Sequence, residues 1–328
     1  MHVELLSILR CPSTGQELEL TEPEYRGSRV YSGWLSTKDG AHRYPVRGFI
    51  PRFSPESNYA DNFGMQWNKF RKTQLDSSSG KPISSNRFWG STGWSPEAIS
   101  GRRVLDAGCG AGRFAEVAVR AGANVVALDY SSAVDACYAN LAQYDNVDVV
   151  QGDIYCLPFA EESFPYVYSL GVLQHTPDVA RAFAALPPMV VRGGKLCVDF
   201  YGRRFGTLLH SKYLLRPFTK RLPKERLLHA LEGAVPVMLP VSRAVGSIPF
   251  VGRALKRLVP VANYGGVYPL TPQQIKEWAL LDTFDMLAPQ YDQPQSAKTV
   301  QAWLQNAGLS RIEVFQAGHL VARGTKPQ

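Results

Sequence analysis

Short apolar runs alternate with helical segments through the middle of the chain. Strands are predicted from the apolar runs at residues 104–105, 124–129, 147–154, 166–175 and 193–201. A helical segment at 297–308, closed by a glycine, precedes two more strand-like runs at 311–315 and 319–324. Strands that alternate with helices are typical of a parallel sheet covered by helices on both faces. The sequence therefore predicts an α/β fold with a doubly wound sheet of seven strands.

The same pattern divides the chain into five segments. They are a small β module at 1–53, a linker with helices at 54–100, the first part of the α/β core at 101–201, a mainly helical insertion at 202–296 and the end of the core at 297–328. The insertion follows the fifth strand. Since ligands of open α/β sheets bind beyond the carboxyl ends of the strands, we expect the insertion to form much of a substrate pocket.

A glycine-rich loop follows the first core strand and leads into a helix. It contains Gly108, Gly110 and Gly112 at alternate positions. Glycine has no Cβ, so such a loop brings a ligand against bare backbone. No Gly-Lys-Ser/Thr follows, which excludes a P-loop. A dinucleotide fingerprint also fits poorly, because the third glycine comes too early and Arg113 stands where Gly or Ala is expected.

Acidic residues end the next two strands. Asp129 closes the second strand and Asp153 lies just past the third. With the glycine loop they form an ordered series of motifs, DAGCGAG, ALDYS, QGDI and SLGVLQHTPD. In this order and spacing the series resembles the class I S-adenosylmethionine-dependent methyltransferases of the type 11 group. The resemblance covers about residues 100–199 and the closing strands, and it implies a Rossmann-like seven-stranded sheet whose last strand runs antiparallel between the fifth and sixth.

The resemblance implies S-adenosylmethionine as the cofactor and places a set of residues around it. They are Arg87, Asp106, Ala107, Gly108, Gly110, Asp129, Tyr130, Ser131, Asp153, Ile154, Leu170, Gly171 and Gln174. Asp129 would bind the ribose hydroxyls, and Asp153 would accept from the adenine amino group while Ile154 packs on the ring. Asp106 would either contact the cofactor or cap the glycine turn.

Two features before the glycine loop have alternative interpretations. The segment 59–71 places Phe63, Trp67 and Phe70 on one helical face, which would either pack on the core or cap the cofactor. Arg87 would either meet the methionine carboxylate of the cofactor or be a solvated surface residue.

His175 is the candidate general base. It follows the fourth strand, and an unperturbed imidazole titrates near neutral pH. The alternative is a structural histidine that holds the following turn. Weaker candidates are Asp199, Tyr201, Asp285, Tyr291 and Asp292.

The N-terminal module resembles a zinc ribbon whose ligands have been lost. A ribbon requires four ligands in two pairs. Only Cys11 is present; Thr14, Ser36 and Asp39 stand near the other ligand positions. The sequence predicts a degenerate, metal-free β module.

Charge is concentrated in the insertion. Residues 202–261 contain twelve Lys or Arg against two Glu, a balance of +10 compared with +8 for the whole chain. This stretch is either a lid with a solvated basic face or a contact surface for an anionic partner. Among anionic partners, a membrane surface or a phosphorylated acceptor is favoured over RNA, because aliphatic residues outnumber aromatic ones. Its prolines predict that it is cut into short helices.

Composition adds a location. The five cysteines are scattered, no uninterrupted apolar run is long enough to span a bilayer, and the first residues lack the pattern of a signal peptide. We expect a cytoplasmic protein, with peripheral contact at the inner membrane surface as the alternative.

The acceptor has three alternatives. The first is a hydroxyl of a small molecule, sugar, glycoconjugate or lipid-linked acceptor, consistent with a shaped pocket and with glycan or natural-product biosynthesis. The second is ribosomal or transfer RNA, which the missing zinc ligands disfavour. The third is a non-catalytic S-adenosylmethionine-binding subunit. The sequence leaves the oligomeric state open.

Overall fold

A computed structural model of the chain describes residues 1–55, 58–203 and 211–328. The strands are β1 (Glu19–Arg26), β2 (Arg29–Ser36), β3 (Arg43–Arg47), β4 (Ile50–Pro51), β5 (Arg103–Ala107), β6 (Asn124–Asp129), β7 (Val147–Gln151), β8 (Phe164–Ser169), β9 (Val190–Phe200), β10 (Ser310–Ala317) and β11 (His319–Thr325). The helices are α1 (Asp61–Lys69), α2 (Asp76–Ser79), α3 (Ile83–Thr92), α4 (Pro96–Ile99), α5 (Arg113–Arg120), α6 (Ala133–Leu141), α7 (Val179–Ala184), α8 (Ser211–Thr219), α9 (Lys224–Gly246), α10 (Gly252–Leu255), α11 (Pro272–Leu287) and α12 (Ala297–Asn306).

The central sheet has seven strands in the order β10-β11-β9-β8-β5-β6-β7. Strands β5 to β9 pair in parallel, whereas β11 is antiparallel to both β9 and β10. The α/β Rossmann-like fold with an antiparallel last strand between the fifth and sixth is thereby confirmed. The sheet forms because alternate apolar side chains of its strands enter two cores. Leu105 and Val126 pack into one, while Val104 and Val125 pack into the other.

The fourth core strand is shorter than the sequence predicted. β8 ends at Ser169, and Leu173–His175 form a 3-10 turn rather than the end of a strand. Gly171 explains the break, because its φ of 80° directs the chain out of the sheet. The turn places the residues after β8 above the carboxyl ends of the parallel strands.

The N-terminal module is a four-stranded antiparallel sheet, β1-β2-β3-β4, that covers the β7 edge of the central sheet. The backbone N–H of Phe53 donates to the carbonyl oxygen of Gln151 at 2.7 Å. His2 donates its backbone N–H to the Asp148 carboxylate at 2.7 Å. Covering the β7 edge leaves fewer open hydrogen-bonding groups there.

The insertion is helical, as predicted, but it is not cut at every proline. α9 runs for 23 residues through Pro236 and Pro240. Each proline removes one backbone hydrogen bond. This loss is offset because one face of α9 packs against α11 in a shared apolar cluster that includes Leu231 and Phe284. Among the described residues, no helix is both long and apolar enough to span a bilayer.

Candidate functional site

A cavity of about 1110 Å³ lies at the carboxyl ends of the parallel strands. Its walls come from the glycine loop, the tips of β6 and β9, the helices α1 and α3, and the insertion. Pockets for one drug-sized ligand usually measure about 300–1,000 Å³. The cavity therefore has room for a cofactor and an acceptor side by side.

The backbone of the glycine loop adopts conformations that residues with a Cβ atom rarely adopt. Gly108 has φ 96° and Gly110 has φ 52°. A Cβ on Gly108 would lie 2.4 Å from a Val172 methyl carbon, and one on Gly110 would lie 3.1 Å from Nε1 of Trp67. Contacts below 3 Å force a neighbour to move, so glycine at 108 is required by both conformation and space.

Asp129 lies at the tip of β6, beside the loop. Its Oδ2 accepts the backbone N–H of Gly110 at 2.9 Å, and its Oδ1 accepts the N–H and the hydroxyl of Ser131 at 2.9 and 2.7 Å. Burial raises the pKa of Asp129, and these donors oppose the shift. The carboxylate is fixed in the cavity wall, and since three of its about four acceptor sites are taken, one site on Oδ2 is left for a ribose hydroxyl.

The cavity brings together most of the predicted cofactor residues. Those that line it are Arg87, Gly108, Gly110, Asp129, Tyr130, Ile154, Leu170 and Gly171. Asp106, Ala107, Ser131, Asp153 and Gln174 do not line it. Ser131 acts through Asp129, and Asp153 accepts the backbone N–H of Tyr155 at 2.9 Å, as a turn-capping residue does.

Asp106 lies behind the glycine loop rather than in the cavity wall. It is 2% exposed, and burial raises its pKa to about 8 in spite of the neighbouring Tyr168 hydroxyl. Successive residues of a strand point to opposite faces. The side chain of Asp106 consequently faces the core, and of the two predicted roles the structural one fits this placement.

Arg87 lines the cavity but is ion-paired, so it is not a solvated surface residue. Its Nη2 lies 2.7 Å from Oδ2 of Asp199, whose Oδ1 accepts the backbone N–H of Gly171 at 2.5 Å. Burial acts to raise the pKa of Asp199, but the guanidinium more than offsets this and the pKa is lowered. The pair ties α3 to β9 and to the turn after β8. Contact of Arg87 with a methionine carboxylate stays a prediction.

The aromatic side chains of α1 divide between the two predicted roles. Phe63 and Trp67 line the cavity, whereas Phe70 packs in the apolar cluster with α9 and α11. Gln66 also faces the cavity, is fully buried, and has no hydrogen-bond partner for either polar atom of its amide within the described residues. A buried unpaired amide is costly, so a polar group of a bound ligand fits here.

His175 is held in the cavity wall, and one of its ring nitrogens has no partner among the described residues. Its Nδ1 lies 3.1 Å from the backbone carbonyl oxygen of Tyr291, and the ring packs between Phe63 and Tyr201. A carbonyl oxygen can only accept, so Nδ1 carries the hydrogen and Nε2 presents a lone pair. Nε2 is buried and has no partner among the described residues. This tautomer is the one that a general base requires.

The second half of the cavity is built by α11 and the loop before it, and the sequence did not predict its residues. The rings of Tyr264 and Tyr268 stack at 5.4 Å, and Trp278 meets both edge-on. The indole N–H of Trp278 donates to the carbonyl oxygen of Thr73 at 2.6 Å. These rings form an apolar wall. Aromatic residues in an insertion without clear periodicity gave no signal that would distinguish them from core residues.

A polar network crosses the floor of this half. Arg113 donates to Gln74 at 2.8 Å, Gln74 donates to Asp282 at 3.0 Å, and the Tyr264 hydroxyl donates to Asp282. Burial raises the pKa of Asp282 to about 6. The pKa of Arg113 is lowered to about 10, because the guanidinium is buried and because the positive charge of Arg87 lies nearby. Asp282 lies on α11 and lines the cavity.

The other candidate residues lie around this half. Tyr201 and Asp285 line the cavity and are joined by a 3.3 Å hydrogen bond from the Tyr201 hydroxyl. Asp292 instead forms an ion pair with Lys212 at 2.7 Å. Tyr291 contributes its backbone to His175.

The N-terminal module shows how the single cysteine of the predicted ribbon is used. The Cys11 sulfur lies 3.2 Å from the Tyr44 hydroxyl, and the Thr37 hydroxyl donates to Asp39 at 2.6 Å. Within the described residues, no group of three or more His, Cys, Asp or Glu is arranged to hold a metal ion. The resemblance to a zinc ribbon and the absence of metal stay predictions.

Comparisons with known proteins identify the central part of the chain. Residues 105–198 match a family model described as a methyltransferase domain. A demethylmenaquinone methyltransferase from Renibacterium salmoninarum is 34% identical over 122 residues, 36% of this chain and 51% of that protein. A ubiquinone biosynthesis O-methyltransferase from Coxiella burnetii is 29% identical over 115 residues, 34% of this chain and 49% of that protein. This chain thus spans about half the length of these relatives.

Among solved structures, one similar chain is a protein from Methanococcus maripaludis described as an S-adenosylmethionine-dependent methyltransferase. Its TM-score is 0.46 at 16% identity, over 84% of this chain and 97% of that one.

Residues 105–198 match a methyltransferase domain, the strand order is that of the Rossmann-like methyltransferase fold, and S-adenosylmethionine is the cofactor. The matched residues contain the glycine loop, Asp129 and His175, all of which contribute to the wall of the cavity described above.

Proposed function

We propose that the chain transfers the methyl group of S-adenosylmethionine to a hydroxyl of a small-molecule acceptor, with His175 as the general base. The observation that carries this proposal is the orientation of the His175 ring. Its Nδ1 lies 3.1 Å from the Tyr291 carbonyl oxygen, its buried Nε2 has no partner among the described residues, and the residue lines the cavity.

The residues divide the work between binding and proton transfer. The cofactor supplies an electrophilic methyl group on a sulfonium. Asp129 and the backbone at Gly110 would hold its nucleoside and methionine parts, and Trp67 would cover the loop. His175 would take the acceptor's proton at Nε2 as the acceptor oxygen bonds to the methyl carbon. The reaction also requires the acceptor oxygen to be aligned with the methyl group, and the walls of the cavity would hold the acceptor in that position.

The composition of the second half of the cavity favours a compact acceptor with both a ring or apolar part and polar groups. The aromatic wall of Tyr264, Tyr268 and Trp278 offers stacking surface, while Asp282 and Arg113 offer hydrogen bonds at one side. The names of two relatives, a demethylmenaquinone methyltransferase and a ubiquinone biosynthesis O-methyltransferase, are consistent with such acceptors. A sugar or glycoconjugate hydroxyl fits the same set of groups.

RNA is the second candidate, because the chain has a net charge of +8. Three aromatic side chains of the insertion, Tyr264, Tyr268 and Trp278, line the cavity, however, and do not form an open groove that could stack successive bases. A non-catalytic role would leave the free Nε2 of His175 without a function.

The direct test is transfer of a tritiated methyl group from S-adenosylmethionine to separate cell extracts of small molecules, lipids, polysaccharide and RNA. We expect label in one of the first three fractions, in a product whose methyl group is bound to oxygen. The Asp129→Ala variant is the matched control and should incorporate little label. Label that appears only in RNA, or in none of the fractions, would contradict the proposal.

A further inference from the structure

We infer that the outer face of α9, together with the turn that follows it, is a docking surface for an anionic lipid bilayer. This surface, called the α9 face below, consists of Val237, Val241, Ile248, Phe250 and Val251. Apolar side chains at its centre would insert into the bilayer, and cationic side chains at its margin would contact the anionic lipid headgroups.

The first observation is that α9 is apolar on two sides. Its inner residues, which include Leu231, Val235 and Leu239, are buried against α11. On the other side Val237 is 67% exposed and Val241 is 49% exposed. A helix at a water-exposed surface normally carries polar residues on its outer side. An apolar outer side indicates contact with something other than water.

The spacing of the exposed residues makes them one stripe. Val237, Val241 and Ala244 follow one another within α9 at intervals of four and three residues, and Ile248 lies two residues past the end of the helix; all four are exposed. Residues at such intervals lie on the same side of a helix. The helix has 23 residues, which corresponds to a length of about 35 Å. The stripe therefore extends the apolar surface along the helix instead of forming an isolated spot.

The turn after α9 adds a projecting aromatic ring. The side chain of Phe250 is fully exposed to solvent, with a relative accessibility of 106%. Its backbone φ of 64° lies in the left-handed region. A bulky residue rarely adopts that conformation, and such outliers point to a functional role. A fully exposed aromatic ring beside Val251 is suited to insertion at the interface of a bilayer, where aromatic residues are enriched.

Charge identifies the partner. No charged residue lies between Glu232 and Arg243, so the centre of the α9 face carries no charge. Cations stand around it, since Arg226, Arg243 and Arg257 are all exposed. An apolar face with a basic margin is the pattern of helices that lie in the interface of anionic membranes.

Two other occupants fit less well. A second copy of the chain, related by a twofold axis, would bring the basic margins of both copies together. RNA would find cations but no exposed aromatic series, because four of the five residues of the α9 face are aliphatic.

The segment that follows the α9 face in the sequence reaches the cavity. Arg257 lies on the segment Lys256–Leu258 just past the face, is exposed, and also lines the cavity. A bilayer bound at the α9 face would therefore lie next to one cavity wall. Binding to the bilayer does not depend on the chemistry of the cavity, so it is tested separately from methyl transfer.

The test is co-sedimentation of the full chain with vesicles of phosphatidylcholine alone and with vesicles of equal parts phosphatidylcholine and phosphatidylglycerol. We expect binding to the anionic vesicles only, decreasing as salt is raised. The triple variant Val237→Ser, Val241→Ser, Phe250→Ser should bind at least about a hundredfold more weakly, because three apolar side chains no longer leave water. Arg226→Gln and Arg243→Gln should each weaken binding about fivefold at low salt.

The matched control is Tyr25→Ser, which removes a half-exposed ring from β1, at the N-terminal sheet, and should leave vesicle binding unchanged. Circular dichroism and retained S-adenosylmethionine binding show that each variant is folded. The inference is overturned if the wild-type chain stays in the supernatant with anionic vesicles at low salt, or if the triple variant binds as the wild type does. It is also overturned if the triple substitution only dissolves a dimer, or if the chain binds an RNA oligonucleotide in preference to the vesicles.

Discussion

The Nδ1 atom of His175 lies 3.1 Å from the backbone carbonyl oxygen of Tyr291. These residues come from the turn after β8 and from the segment between α11 and α12, so the insertion determines which nitrogen of the ring carries the hydrogen and which is left without a partner among the described residues. The sequence could identify His175 as a candidate base, but the partner that orients it is a backbone atom 116 residues away. Because every residue has a backbone carbonyl, a contact of this kind cannot be predicted from the residue types in the sequence.

Replacing Asp129 with alanine should weaken S-adenosylmethionine binding. Loss of hydrogen bonds to a charged group costs about 1.5–3 kcal/mol, which corresponds to about a ten- to hundredfold change in affinity. Titration calorimetry measures it. Unchanged affinity in the variant, or tighter binding of NADH than of S-adenosylmethionine by the wild type, would contradict the cofactor assignment.

Gly110→Ala should weaken cofactor binding by about tenfold or more, because the added Cβ enters the space between the loop and Trp67. Gly308→Ala provides the matched control. Gly308 also has a positive φ, 71°, but a Cβ there meets no atom within 4 Å. Both variants carry backbone strain, so only the difference between their affinities reports on the site. Equal affinities would show that the loop backbone does not contact the cofactor.

The pH dependence of stability should reveal the buried carboxyl of Asp106. Its pKa is raised by burial from 3.8 to about 8 in the folded chain. Over that interval the folded state holds a proton that the unfolded state releases, so the free energy of unfolding falls as the pH rises, by up to about 1.4 kcal/mol per pH unit. Asp106→Asn cannot ionise and should lack this slope. Chemical denaturation of both proteins across the interval measures it, and parallel profiles would show that Asp106 is ionised when folded.

The N-terminal module should purify without stoichiometric zinc. One cysteine, Cys11, whose sulfur contacts the Tyr44 hydroxyl, cannot supply a tetrahedral site. Elemental analysis after dialysis against a weak chelator should show much less than one zinc per chain. A full equivalent of retained zinc would mean that other ligands complete a site.

Local patterns were sufficient to predict the central sheet. One βαβ unit contains β5, the glycine loop, β6 and Asp129. Within such a unit, residues close together in the sequence determine the local geometry. The order of the remaining strands followed from the resemblance, and the antiparallel position of β11 agreed with it. Predictions failed where long-range packing overrides local preference, as in α9, which continues through Pro236 and Pro240 because α11 supports it.

Prediction of the site was partial at the glycine loop and poor elsewhere. The predicted Gly108 and Gly110 line the cavity, whereas Cys109, Ala111 and Arg113 line it without having been predicted and Asp106 does not line it. Trp278 and Asp282 were missed as partners in one wall, since their neighbours Thr73 and Gln74 are about 200 residues away along the chain. No local pattern encodes such contacts.

The most direct measurement of the central claim is the single-turnover rate of methyl transfer by His175→Ala at saturating S-adenosylmethionine and neutral pH. The account predicts a rate lower by about 10²–10⁴ with cofactor affinity nearly intact, because only the proton acceptor has been removed. His229→Ala is the control, since His229 is exposed on α9 and pairs with Glu232, and its rate should equal that of the wild type. A His175→Ala rate within about threefold of the wild type would contradict the account and leave His175 a structural residue.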